Sequence, residues 1–167
     1  MSDSESLMEL EEEMDDYLGR YREQRMEELA REIEHAKRGK DAYQEVHDEG
    51  ELMRKTVSTQ TVVILFHNPE FQTCQIVDGA LREIASRYYD TQFYKIEATE
   101  APFLAVKLQI KVLPCIVIYL DGKEIQRVVG LESLIDGTDI GTFTTQRLEK
   151  YFLKCHVIRP RVLDTKQ

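Results

Sequence analysis

The chain has 167 residues, 42% of them hydrophobic, which is enough for one domain with a sizeable core and an extension. Its net charge of −9 is unevenly spread: eight acids and no base lie in the first 16 residues, so the remainder is close to neutral. That acidity disfavours a nucleic-acid or anionic-membrane partner, and no apolar run approaches the roughly 20 residues of a membrane-spanning helix.

Taken alone, the acidic run Asp3 to Asp16 reads as a solvated, unstructured start, and it lacks the basic-then-apolar pattern of a secretion signal. The expected location is the cytoplasm or nucleus. From about Leu7 to Lys40 there is no proline, and Glu, Arg, Met, Leu and Ala dominate, which predicts one long helix or two abutting ones. Leu7, Leu10, Met14, Tyr17 and Tyr21 step by three and four; Met26, Leu29, Ile33 and Ala36 do so in a shifted frame. So polar a helix has only a narrow apolar seam. Met26, Leu29 and Ile33 are the candidate partner contacts, with packing onto the body as the other reading.

Gly39 is expected to end this arm, residues 1–40, and residues 41–57 read as a linker with a short helix. Asp48 and Glu51 form a capping-box pattern for a helix from about Glu51 to Val57. A domain over 58–158 follows, then a tail over 159–167. "TVVILFH" (61–67) is short, continuous and β-branched, as a strand covered on both faces is. Ile76, Val77, Ala80, Leu81, Ile84, Ala85 and Tyr88 repeat at helical spacing, and "FYKIEA" (93–98) is a second strand, parallel to the first through a right-handed crossover. After Pro102 comes a short helix to about Leu108. "CIVIYL" and "KEIQRVV" flank Asp121-Gly122, the pair that suits a two-residue hairpin turn. Residues 131–142 read as a loop, and "TTQRLEKYFLKC" closes the domain as an amphipathic helix with Leu148, Tyr151, Phe152 and Cys155 on one side.

The three cysteines, Cys74, Cys115 and Cys155, are odd in number and far apart, which argues for reduced thiols. His35, His47, His67 and His156 are scattered without metal-ligand spacing, so neither metal nor cofactor is expected.

The order βαβ, α, ββ, α predicts an α/β thioredoxin-like fold, a mixed sheet of about four to five strands flanked by helices. "VVILFHNPEFQTC" resembles the strand and active-site turn of thioredoxins, and "IKVLPCIVIYLDGKEIQRVVG" resembles their cis-proline loop and terminal hairpin. More narrowly, "KDAYQEV", "APFLAVKLQIKVLP" and "DGTDIGTFTTQRLEKYF" behind a charged helix resemble the phosducin-like proteins, in the subgroup that includes thioredoxin domain-containing protein 9. That resemblance implies a cytoplasmic binding protein of the co-chaperone class, expected as a monomer: one that engages the cytosolic chaperonin and modulates folding of actin or tubulin.

The resemblance also places the vestiges of a redox site. A dithiol turn needs an exposed first cysteine at a helix N-terminus, where the helix dipole favours the attacking thiolate. Phe71 stands there; only Cys74, matching the second cysteine, remains. Leu65 replaces a buried aspartate, and His67 replaces a tryptophan. Pro114 matches the cis-proline, so Leu113–Pro114 is expected to be cis. Cys115 follows it, which leaves open a regulatory pair with Cys74 beside the favoured reading of two reduced core residues. No catalysis is expected. The alternatives are a single-cysteine thiol redox protein and a G-protein βγ-binding regulator, although the arm lacks a convincing match to the first-helix motif of the βγ-binding members.

Overall fold

The computed structural model describes residues 2–38, 42–88 and 90–159. The first element, α1, is a single helix over Ser2–Arg38. The acidic start is therefore helical rather than unstructured, and the shift in the apolar stripe does not divide the helix. Acids in a first turn are favoured by the helix dipole, and Asp3 and Glu5 occupy it here. Leu7, Leu10, Met14 and Tyr17 are exposed, as are Met26, Leu29 and Ile33. The expected break at Gly39 and the tail from 160 onward lie outside the described residues. Through Lys37 this helix belongs to one compact unit, while Arg38–Arg159 form the other.

The second unit holds five strands in the order β1-β3-β2-β4-β5: β1 (Tyr43–Glu45), β2 (Thr61–His67), β3 (Gln92–Glu97), β4 (Cys115–Leu120) and β5 (Lys123–Val129). Strands β1, β3 and β2 are parallel, and β4 and β5 are antiparallel additions. The edge strand β1 falls in the stretch expected to be a linker, so the domain begins near residue 42 rather than 58. Three polar residues carry no pattern of their own; pairing with β3, extended by Val46 N donating to Lys95 O at 2.8 Å, makes them a strand.

Helix α2 (Glu49–Ser58) begins two residues before the expected position: Asp48 is its N-cap and accepts from Gly50 N at 2.9 Å, which makes Glu49 the first helical residue. Next come α3 (Gln72–Ala85), α4 (Pro102–Lys107) and α5 (Thr145–Lys154). Ala101, at the start of α4, offers no cap; Glu49 Oε2 reaches across from α2 and accepts Leu104 N at 3.1 Å. The loop before α5 contains two 3₁₀ turns, pinned by Arg147 Nη2 donating to both carboxylate oxygens of Asp136 at 3.0 and 3.1 Å.

Two apolar layers form on the two faces of the sheet. Val63 and Leu65 point into one with Leu81 and Ile84 of α3 and Leu148 and Phe152 of α5. Val62, Ile64 and Phe66 point into the other with Leu52 of α2 and Leu104 of α4. This alternation explains why β2 is apolar throughout: both of its faces are covered. The β4–β5 turn has φ of 52° at Asp121 and 82° at Gly122, the positive values its two central residues require.

Edge strand β1 is held by a polar network. Tyr43 Oη donates to Asp78 Oδ1 at 2.6 Å, Lys95 Nζ lies 3.1 Å from the same oxygen, and Arg82 Nη2 lies 3.3 Å from Oδ2. Burial alone would raise the Asp78 pKa, but the hydrogen bonds from Tyr43 and Lys95 and the charges of Lys95 and Arg82 outweigh it and hold the group below its ordinary value. A depressed carboxylate contributes stability above its unfolded pKa of about 3.9 and loses it as pH falls through the folded value. We expect Asp78→Asn to cost about 1–3 kcal/mol at pH 7 in urea denaturation, with the deficit shrinking below pH about 4. A deficit constant across that range would assign the loss to something other than the ionised carboxylate.

Candidate functional site

The end of β2 runs into a tight turn. Asn68 Oδ1 accepts Glu70 N at 3.0 Å, and Asn68 O accepts Phe71 N at 3.0 Å. This double closure, an Asx turn within a four-residue turn, delivers the chain to the first residue of α3. Phe71 is the N-cap of α3 and offers no capping side chain; Gln75 Nε2 instead donates back to Pro69 O at 2.8 Å. Phe71 is 45% exposed, so it is not a core residue.

Cys74, three residues further on, is 1% exposed. Burial pushes its thiol pKa up, and hydrogen bonding to the Asn68 backbone and the Thr73 side chain offsets only part of that. Leu65 is fully buried in the layer beneath α3. The antiparallel pairing Phe66↔Cys115 carries Pro114 to the same end of the sheet, where the Leu113–Pro114 bond is cis and Gly130 N donates to Pro114 O at 2.8 Å. Phe71, Cys74, Leu65 and Pro114 thus converge at the carboxyl end of β2, whereas Met26, Leu29 and Ile33 lie on α1. Cys74, Cys115 and Cys155 are all free thiols; Cys115 is also buried, and burial raises its pKa.

A cleft of about 360 Å³ opens beside this turn. His67, Pro69, Glu70, Glu97, Thr99 and Leu113 contribute to its walls. The parallel register His67↔Glu97 brings the imidazole and the carboxylate to the same height on adjacent strands. His67 is 5% exposed, and its Nε2 is buried without a hydrogen-bond partner. Burial, followed by the charge of Lys95, lowers its pKa, against the opposing pull of Glu45, Asp78 and Glu97. The ring is therefore neutral at pH 7. The sequence marks His67 only as a tryptophan replacement; the signal that points to a site is a histidine ending an otherwise apolar strand. Among the described residues, no cluster of three or more His, Cys, Asp or Glu side chains could hold a metal ion, and no helix is long and apolar enough to cross a membrane.

Residues 44–137 match the thioredoxin family model. The chain is 35% identical to phosducin-like protein 1 of Saccharomyces cerevisiae, over 92% of its own length and 70% of the relative's. It belongs to the phosducin-like family. This phosducin-like chain is also 40% identical to thioredoxin domain-containing protein plp1 of Schizosaccharomyces pombe, over 83% of its length but only 50% of that protein's. It is 31% identical to thioredoxin domain-containing protein 9 of Caenorhabditis elegans, over 92% of its length and 74% of that protein's. Of its first curated relatives it thus spans half to two-thirds, the shares for the plant proteins PLP3A and PLP3B of Arabidopsis thaliana both being 64%. Among solved structures, a thioredoxin from Nicotiana alata superposes with a TM-score of 0.56 at 21% identity, covering 68% of this phosducin-like chain and 92% of the thioredoxin, a likeness of fold alone.

Proposed function

We propose that this chain is a non-catalytic binding protein of the cytoplasm, a co-chaperone that engages the cytosolic chaperonin and modulates folding of actin or tubulin. The observation that carries the non-catalytic part is Phe71: the helix N-cap that a dithiol site needs for its attacking sulfur presents a benzyl group. A single-cysteine enzyme is disfavoured as well, because Cys74 is buried and its pKa is raised, and the thiolate is the nucleophile. What remains is surface. The chaperonin and its substrates come from the family resemblance, and the exposed seam of Met26, Leu29 and Ile33 supplies apolar contacts flanked by charges that set orientation and on-rate.

Two variants test the reading on purified chaperonin. Deleting residues 1–40 should abolish retention, and replacing Met26, Leu29 and Ile33 together by Ser in the full chain should weaken binding by about tenfold or more, since apolar anchors dominate interface energies. Undiminished retention of both variants would remove the arm from the mechanism; failure of the unaltered chain to bind would remove the chaperonin.

A further inference from the structure

We propose that the first half of α1 is a self-association surface, which pairs antiparallel with the same segment of a second copy of this chain as a short coiled coil. Leu7, Leu10, Met14, Tyr17 and Tyr21 follow the a and d spacing of two heptads, with Leu7, Met14 and Tyr21 at a and Leu10 and Tyr17 at d. Every residue from 3 to 20 is exposed, and Tyr21 is partly so. Leu7, Leu10, Met14 and Tyr17 are each 58–60% exposed, which makes one continuous apolar stripe rather than scattered surface residues. Leu7, Leu10, Glu11 and Met14 stand at i, i+3, i+4 and i+7, the four corners of a hole that receives one side chain from a facing helix. With Asp15 they line a hollow of about 300 Å³, room for one large side chain.

Charge selects the occupant and its direction. The first 16 residues hold eight acids and no base, whereas Arg20, Arg22 and Arg25 follow within one further stretch of the same helix. Parallel pairing would set the two acidic runs abreast and Arg20, at g, against Arg25, at e, of the other copy, so it is repelled at both ends. Antiparallel pairing lays each acidic run beside the arginines of the other copy. The layers are then Met14 against Tyr17 and Leu10 against Tyr21, each made twice by the twofold axis. In this register Tyr21 of the second copy enters the hole of Leu7, Leu10, Glu11 and Met14. Glu13, at g, meets Arg20, at g, of the second copy, again twice. Arg25 is already held by Glu28 at 2.9 Å within its own helix, so Arg20 carries the pairing. Five residues separate Tyr21 from Met26, which turns the seam of Met26, Leu29 and Ile33 away from this stripe and leaves it uncovered. The pairing goes beyond the chaperonin reading, is independent of it, and departs from the monomer that the family resemblance implies.

The test is sedimentation equilibrium of the full chain from about 1 to about 100 µM, the range that suits a small interface. The mean mass should rise with concentration from 19.5 kDa towards twice that value, and should rise less at high salt. Leu10→Ala together with Met14→Ala should weaken the association about 30-fold or more, while far-UV circular dichroism stays helical because alanine is the best helix former. Glu13→Arg and Arg20→Glu should each weaken it about 3- to 10-fold, since symmetry breaks two surface charge pairs at once. The two charge changes combined should restore it, because each new charge then faces its opposite across the antiparallel pair. A single mass at every concentration, a dimer undiminished by the paired alanine changes, or a double charge variant no tighter than either single one would each overturn the proposal.

Discussion

Replacing Phe152 by Ala is expected to destabilise the body by about 3–5 kcal/mol and to lower its urea midpoint by more than about 1 M. Phe152 is fully buried on α5, and its ring centroid lies 6.3 Å from that of Phe93 on β3 at an interplanar angle of 49°. Truncation removes the transfer free energy of an aromatic ring and leaves a cavity that α3, β3 and α5, all rigid elements, cannot close. The residue also receives the chain's turn after the helix, since Val157 N donates to Phe152 O at 2.9 Å and Thr91 Oγ1 donates to Val157 O at 2.5 Å. The loss would be a large share of a typical domain stability of about 5–15 kcal/mol. Tyr17→Ala, at an exposed position of α1, is the control and should change stability by less than about 0.5 kcal/mol. Comparable losses in the two variants would contradict the burial described for Phe152.

The sheet is legible in the sequence wherever pattern and local chemistry agree. The apolar run ending at His67, the periodic stretch from Ile76 to Ala85 and the Asp121-Gly122 turn each announce one element, because burial on both faces, one helical face and a positive φ all leave direct marks on residue choice. The strand Tyr43–Glu45 leaves none: it is three residues long, and its strand character comes from β3, about fifty residues away. Its anchor is equally hidden, since Tyr43 and Asp78 meet only after α3 packs. The acidic start differs in kind. Charge density there argues against structure while Glu, Met and Leu favour a helix, and in α1 propensity outweighs repulsion. At the site, Phe71, Cys74 and Pro114 are placed by the resemblance of their stretches to the thioredoxin turn and cis-proline loop. The cleft is not, because Glu97 and Thr99 reach His67 only through the β2–β3 register, which no run of residues displays.

Phe71→Cys should convert a silent turn into a reactive one. In the native chain Cys74 is screened by burial and by a raised pKa, so a chromogenic disulfide should find no fast thiol there, and insulin reduction should be absent. A cysteine at position 71 would sit at the N-cap of α3 on a side chain that is 45% exposed now. Helix N-termini lower thiol pKa from about 8.5 towards 7 or below, which raises the thiolate fraction at pH 7 by about tenfold. The first equivalent of chromophore should therefore be released at least about tenfold faster than from any thiol of the unaltered chain. A second, slower equivalent should follow as Cys74 loses its proton, attacks the mixed disulfide at position 71 and expels the second chromogenic thiolate, closing a 71–74 disulfide. Its slowness reports the raised pKa of Cys74, and Cys74→Ser in the same background should leave the first phase and erase the second. Both phases are read with Cys155→Ser present, since that thiol is partly exposed. Fast labelling of Cys74 in the chain that keeps Phe71 would show the thiol to be reachable, and the argument against a single-cysteine enzyme would lose its physical basis.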